Sequence, residues 1–188
     1  MSSQQIVFLI VNTIGGIAVL GSYAIGLGMF PEYREALWGE VRGTLRAGIT
    51  ISMLFAALGY LAFCYVALFQ NGLSDFNKVN WFNQYTVSVL IAIFLISATF
   101  WMPTAIAYLN FSNTYWLVVC ILSLWVTAIS LVAILGITIT ADLDSISLIS
   151  HYVAIIGIGL ITFHCLVFDA IIWAIMSVSY THLRAHET

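Results

Sequence analysis

Apolar residues fall in five long blocks separated by short polar stretches, and no block shows the period-two alternation of a half-buried strand. The blocks run over about 6–29, 48–69, 85–109, 115–139 and 150–176. Each supplies the roughly twenty residues that cross a hydrocarbon core of about 30 Å. In lipid every backbone N–H and C=O must find a partner within the protein, and runs of this length and texture do so as helices. The pattern predicts an all-α polytopic membrane helix bundle of five transmembrane helices, forming one domain over residues 1–177. Connections of about five to fifteen residues predict that successive helices run antiparallel as neighbours.

Composition narrows this further. Of 188 residues, 62% are hydrophobic and 7% charged, against about 25% charged in soluble domains, so a water-solvated globule is excluded. Eight acidic and five basic residues give a net charge of −3, which excludes an electrostatic nucleic-acid binder needing a clustered basic face. The partners expected are the lipid bilayer and other membrane subunits or a second copy, with no nucleic acid. Cys64, Cys120 and Cys165 all lie inside apolar blocks, and none forms a C-x-x-C pair. They read as small hydrophobes packed between helices. The first block lacks a basic leader and is too long for a signal-peptide core, so it reads as a retained span.

Arg34, Arg42 and Arg46 fall between the first two blocks, whereas Lys78 is the only basic residue in the next connection. The positive-inside rule puts the first connection in the cytoplasm, the N-terminus outside and residue 177 inside. A bacterial inner membrane is expected rather than an organellar one. Trp81, Tyr108, Tyr115 and Trp116 lie at block ends, where amphipathic rings favour the headgroup layer. Arg34, Trp38, Arg42 and Arg46 recur every four residues, with Leu37, Val41 and Leu45 one step around. This interfacial basic stripe fits a short amphipathic helix on the inner membrane surface. Alternatively, it extends the second helix into the cytoplasm.

Gly15, Ala18, Ser22 and Gly26 are spaced three and four apart on the first helix. They predict a packing face where another helix comes close. Chemistry concentrates in the last block. Asp169 is the only acid inside any block. An ionised Asp at membrane depth costs about 2.5–3.5 kcal/mol on insertion scales, so such a residue is functional, paired or protonated. His164 lies five residues, or about 7.5 Å, before it along an α-helix. α-Helical geometry points the two about 140° apart, so they are not expected to pair. A hydrogen bond from His164 to Tyr60 or Thr127 is expected instead.

Pro103 withholds a donor from the Thr99 carbonyl and marks a hinge in the third helix. Depth counting gathers Asp169, Tyr23, Ser22, Ser123 and the Thr99 backbone into one ion- or proton-binding layer, with His164 nearby. The structural alternative is a neutral, hydrogen-bonded Asp169 that locks the bundle. No cofactor or metal is expected, because His164 and His151 lie thirteen residues apart on one helix and cannot bracket a haem iron. H-E-x-x-H, G-x-S-x-G and P-loop motifs are missing, and with them any support for zinc-protease, serine-hydrolase or nucleotide-binding chemistry.

The tail Val178-Ser179-Tyr180-Thr181-His182-Leu183-Arg184-Ala185-His186-Glu187-Thr188 resembles one translated frame of a transposase-type sequencing adapter. The native sequence is therefore expected to differ after Ser177, and His182 and His186 are set aside as a metal pair. The expected function is a small transporter or channel-like protein with an intramembrane proton- or cation-binding carboxylate. The alternative is a non-catalytic subunit whose polar residues serve helix packing. A membrane-bound enzyme or haem carrier is a third reading.

Overall fold

The computed structural model describes residues 1–78 and 83–177, all-helical with no strand among them. Trp81 and the tail from Val178 onward lie outside the described residues. The long helices are α1 (Ser3–Met29), α2 (Gly43–Phe69), α4 (Thr86–Phe111), α5 (Thr114–Ile139) and α6 (Leu148–Ser177), with a one-turn α3 (Gly72–Phe76) after α2. All five long helices are long and apolar enough to cross a bilayer, so the chain is a multi-pass integral membrane protein.

Caps mark where helices leave the apolar layer. Ser2 and Gln5 form a reciprocal capping box on α1. Asn113 and Ser147 accept from the N–H groups of Tyr115 and Ser150 at the starts of α5 and α6. Ser112 adopts φ +50° and, with Asn113, folds α4 back onto α5.

Packing departs from sequence order. α4 lies between α1 and α5, and α6 packs on both α5 and α2, while α1 and α2 barely meet. The expectation that successive helices are neighbours fails for α2 and α4, which make almost no close backbone approach, and for α1 and α2. The stretch between them is long enough to carry α2 away from α1, and close backbone contacts hold the two helices on different partners. A Cβ on Gly15 would lie 2.6 Å from the Leu95 side chain, and one on Gly26 would lie 2.6 Å from Met102. Those glycines seat α1 on α4; Ala18, from the same stripe, is exposed. On the other side, a Cβ on Gly59 would meet the Gly157 carbonyl at 2.6 Å. α2 therefore sits on α6.

The 30–42 connection is neither an amphipathic helix nor an extension of α2. It is two 3₁₀ turns, Pro31–Tyr33 and Ala36–Trp38, and α2 starts only at Gly43. Pro31 supplies no N–H, and Gly39 and Gly43 take positive φ, which ends each helical turn. The arginines diverge accordingly. Arg46 forms a bidentate pair with Glu35 at 2.7 and 3.1 Å and covers the Trp38 ring. Arg34 donates from Nε to the Leu27 carbonyl, and Arg42 stands at the N-cap position of α2 without a side-chain capping bond. Trp173 of α6 ties the connection down through Nε1 to the Leu37 carbonyl at 2.7 Å.

Candidate functional site

Because α1 leans on α4 and α2 leans on α6, a wedge separates the two pairs. Near the end where α1 begins, side chains fill it. Phe63 stacks on Phe76 and lies against Phe8, and Tyr60 meets Phe94 edge to face. Tyr60 donates to Asn12 Oδ1 at 2.6 Å, and Gln5 Nε2 donates to the Leu68 carbonyl at 2.7 Å. Toward the opposite end the wedge is a cavity of about 500 Å³, within the range of about 300–1,000 Å³ usual for small-molecule sites. Its walls are mostly apolar, and the 30–42 connection closes its floor through Arg34, Leu37, Trp38 and Val41.

Asp169, His164 and Tyr23 all line this cavity. The Asp169 side chain is 32% exposed and its Oδ1 lies 3.6 Å from His164 Nε2. The expectation that the two diverge is overturned. From His164 to Trp173 the last helix is wound as a π-helix, whose hydrogen bonds run i→i+5. Residues five apart then stand one above the other, so His164 and Asp169 share a face. π segments inside α-helices occur frequently at functional sites. The partner expected for His164 also changes. Its Nδ1 lies 3.0 Å from Ser52 Oγ on α2, whereas Tyr60 is held by Asn12 and Thr127 pairs with Ser97 at 2.8 Å. His164 thus stands between a hydroxyl at hydrogen-bond distance and a carboxyl just beyond it.

The remaining polar residues of the expected layer lie apart from the cavity wall. Ser22 donates to the Val19 carbonyl, Ser123 to that of Cys120 and Thr99 to that of Leu95. Each bonds its own helix backbone, as short hydroxyl side chains do in apolar surroundings. α4 continues through Pro103, with Thr104 Oγ1 donating to the Phe100 and Trp101 carbonyls at 2.7 and 3.0 Å.

Sequence reasoning did not place Trp101, Phe168 and Trp173 at the site. The Tyr23 ring stacks on Trp101 at 5.4 Å, and Trp101 meets Trp173 edge to face at 5.7 Å. Trp101 Nε1 is buried with no hydrogen-bond partner, which costs about 1–3 kcal/mol. Trp173 follows Asp169 by four residues, a spacing that signals a shared helix face. Ser52 carries no such signal, because only the tertiary fold brings α2 to His164.

Comparison with known proteins found no matching family model, curated protein or solved structure. The functional reading therefore rests on the cavity itself.

A second acid is buried outside the spans. Asp75 of α3 is fully buried; its Oδ2 accepts from the N–H groups of Ser145 and Ile146 at 2.8 Å each, and its Oδ1 meets Lys78 Nζ at 3.0 Å. Lys78 also reaches Asp144. Burial alone would push the Asp75 carboxyl up. The Ser145 N–H, Lys78 and the Ile146 N–H outweigh it and hold the group below its ordinary 3.8. Among the described residues no cluster of three or more His, Cys, Asp or Glu is placed to hold a metal.

Proposed function

We propose that this protein is a small transport protein in which Asp169, assisted by His164, takes up and releases a proton or cation within the membrane. The carrying observation is the Asp169 carboxyl, partly open to a cavity at span depth and in line with His164. An acid whose only task was to lock helices together would be enclosed by donors, as Asp75 is. Tyr23, Cys165 and Arg34 are the other titratable groups around the cavity. Arg34, Arg42 and Arg46 support an orientation with the 30–42 connection in the cytoplasm. The cavity then opens in the cytoplasmic half of the bundle, with the N-terminus outside.

A rival reading, a non-catalytic subunit, is favoured by one feature of α1. Ile14, Ala18, Gly21, Ile25 and Gly28 form a second stripe of small and apolar residues, and a Cβ on Gly21 or Gly28 would meet nothing within 4 Å. Such stripes suit helix association in lipid.

The two readings part in proteoliposomes containing the full chain and a trapped pH dye. Under an imposed membrane potential the native protein should move protons. Asp169→Asn should not, while melting in detergent as the native protein does. Flux that persists in Asp169→Asn overturns the proposal. A native protein that moves no protons, and whose Asp169 resists a hydrophobic carbodiimide at every pH, also overturns it and leaves the subunit reading.

A further inference from the structure

The chemistry of the cavity wall identifies a class of occupant, an inference that rests on Asp169 being the working carboxylate. Among the described residues, Asp169 is the only acid lining the cavity. Tyr23, Trp101 and Trp173 form a continuous aromatic group beside it, and Phe168 completes this wall against His164 at 5.7 Å. Aromatic faces attract cations, most strongly where water is excluded. Most of the remaining lining is aliphatic, which suits an apolar body. Among the described residues, Arg34 is the one formal cation in the lining, and it belongs to the floor. There Glu32, Glu35 and Glu40 offset Arg34 and Arg42, leaving the 31–42 connection without net positive charge.

The mouth is lateral. Leu20 of α1 and Met53 of α2 border the cavity and are 73% and 37% exposed. The opening therefore faces lipid between the two helices that barely meet. A molecule already dissolved in the bilayer can reach it without crossing water. An anion would meet Asp169 unfavourably, and a neutral occupant would offer the carboxylate, when it is ionised, no opposite charge beyond His164.

We propose that the cavity binds a lipophilic organic cation, a single positive centre on an apolar body, drawn sideways from the membrane between α1 and α2. The positive centre lies between Asp169 and the Tyr23 and Trp101 rings. The apolar body lies against Ala56, Phe94 and Leu124.

Tetraphenylphosphonium and tetraphenylborate, equal in shape and opposite in charge, test this by equilibrium dialysis against the full chain in nanodiscs. The phosphonium should bind saturably and the borate should not. Asp169→Asn should weaken phosphonium binding by at least about tenfold, Trp101→Leu by about three- to tenfold, and Asp169→Glu should keep it. Equal binding of the two ions overturns the proposal, as does unchanged affinity in a folded Asp169→Asn. Should that variant not fold, Trp101→Leu and the charge comparison decide. Proton movement that depends on Asp169, with no phosphonium binding, removes this inference and leaves the proton-binding reading in place.

Discussion

Toward the end where α1 begins, the gap between α1 and α2 holds stacked aromatic rings and the Tyr60–Asn12 and Gln5–Leu68 hydrogen bonds, and the Asp75 knot ties α3 to the connection between α5 and α6. Toward the other end the same two helices stand around a cavity of about 500 Å³, with Asp169 and His164 3.6 Å apart. Each end contains a carboxylate removed from bulk water, but their surroundings differ in kind. Asp75 receives two backbone N–H groups and an ammonium. Asp169 has the Cys165 thiol as its hydrogen-bond partner, a histidine at ion-pair distance and open space beside it. Satisfied polar groups rigidify, and partly satisfied ones are available to exchange partners. The filled end holds the two helix pairs together, which lets the other end stay open.

The strongest way to break this contrast is to remove the knot. Asp75→Ala should leave the Ser145 and Ile146 N–H groups and Lys78 unpaired, and cost about 2–4 kcal/mol of stability in detergent. The pH dependence has a definite sign. The folded carboxyl is held below 3.8, so its contribution is fully present above the unfolded value and lost as pH falls through the folded one. The native protein should thus destabilise more steeply than Asp75→Ala below about pH 4. Parallel melting curves for the two proteins through that window would refute the role given to Asp75.

A matched pair of enlargements probes packing at the two ends. Ala67 is fully buried at the filled end, while Ala98 is partly buried and borders the cavity. Ala67→Leu should cost about 1–3 kcal/mol through overpacking. Ala98→Leu should cost less than about 0.5 kcal/mol, because its added carbons enter existing space. Equal losses measured by thermal unfolding would mean that the cavity closes in the folded protein.

How far the sequence foretold this depends on the range of the interaction. The five spans were legible because a long apolar run has one stable form in lipid, and Asp169 stood out because an acid there is costly. The alignment of His164 with Asp169 was not legible. It depends on ten residues, His164–Trp173, taking i→i+5 bonds, and their composition is that of any apolar helix. The Gly59–Gly157 crossing was hidden for a related reason. Each glycine is unremarkable on its own helix, and only the tertiary fold makes them a pair. Asp75 was overlooked as a loop acid, although its partners Ser145 and Ile146 lie seventy and seventy-one residues away. Pro31, Gly39 and Gly43 did stand in the sequence as signals against a continuous helix in the first connection. The four-residue recurrence of Arg34, Trp38, Arg42 and Arg46 points to a helix, but it carries no information on the backbone angles that Gly39 and Gly43 set.

A further small effect is the most local test of why one end is closed. Tyr60 Oη donates to Asn12 Oδ1 at 2.6 Å, and Asn12 Nδ2 donates onward to the Phe8 carbonyl at 2.8 Å. This side-chain bond joins α1 to α2, together with Cys64 Sγ, which also reaches Asn12 Oδ1, and the Gln5–Leu68 bond. Single hydrogen bonds between membrane helices average about 0.6 kcal/mol, because the separated helices find other partners in the membrane. Tyr60→Phe keeps the ring packed on Phe63 and Phe94 and removes only the hydroxyl, so it should lower stability by about that amount. Its larger consequence should be a change in spacing. With the bond gone, the separation between spin labels at Ile14 and Leu58, both on exposed faces, should broaden when measured by pulsed electron resonance. Labels at Leu20 and Leu54, beside the cavity, should show broad separations already in the native protein and change little. A narrow distribution at the cavity end and a broad one at the aromatic end would reverse the assignment of rigid and open halves.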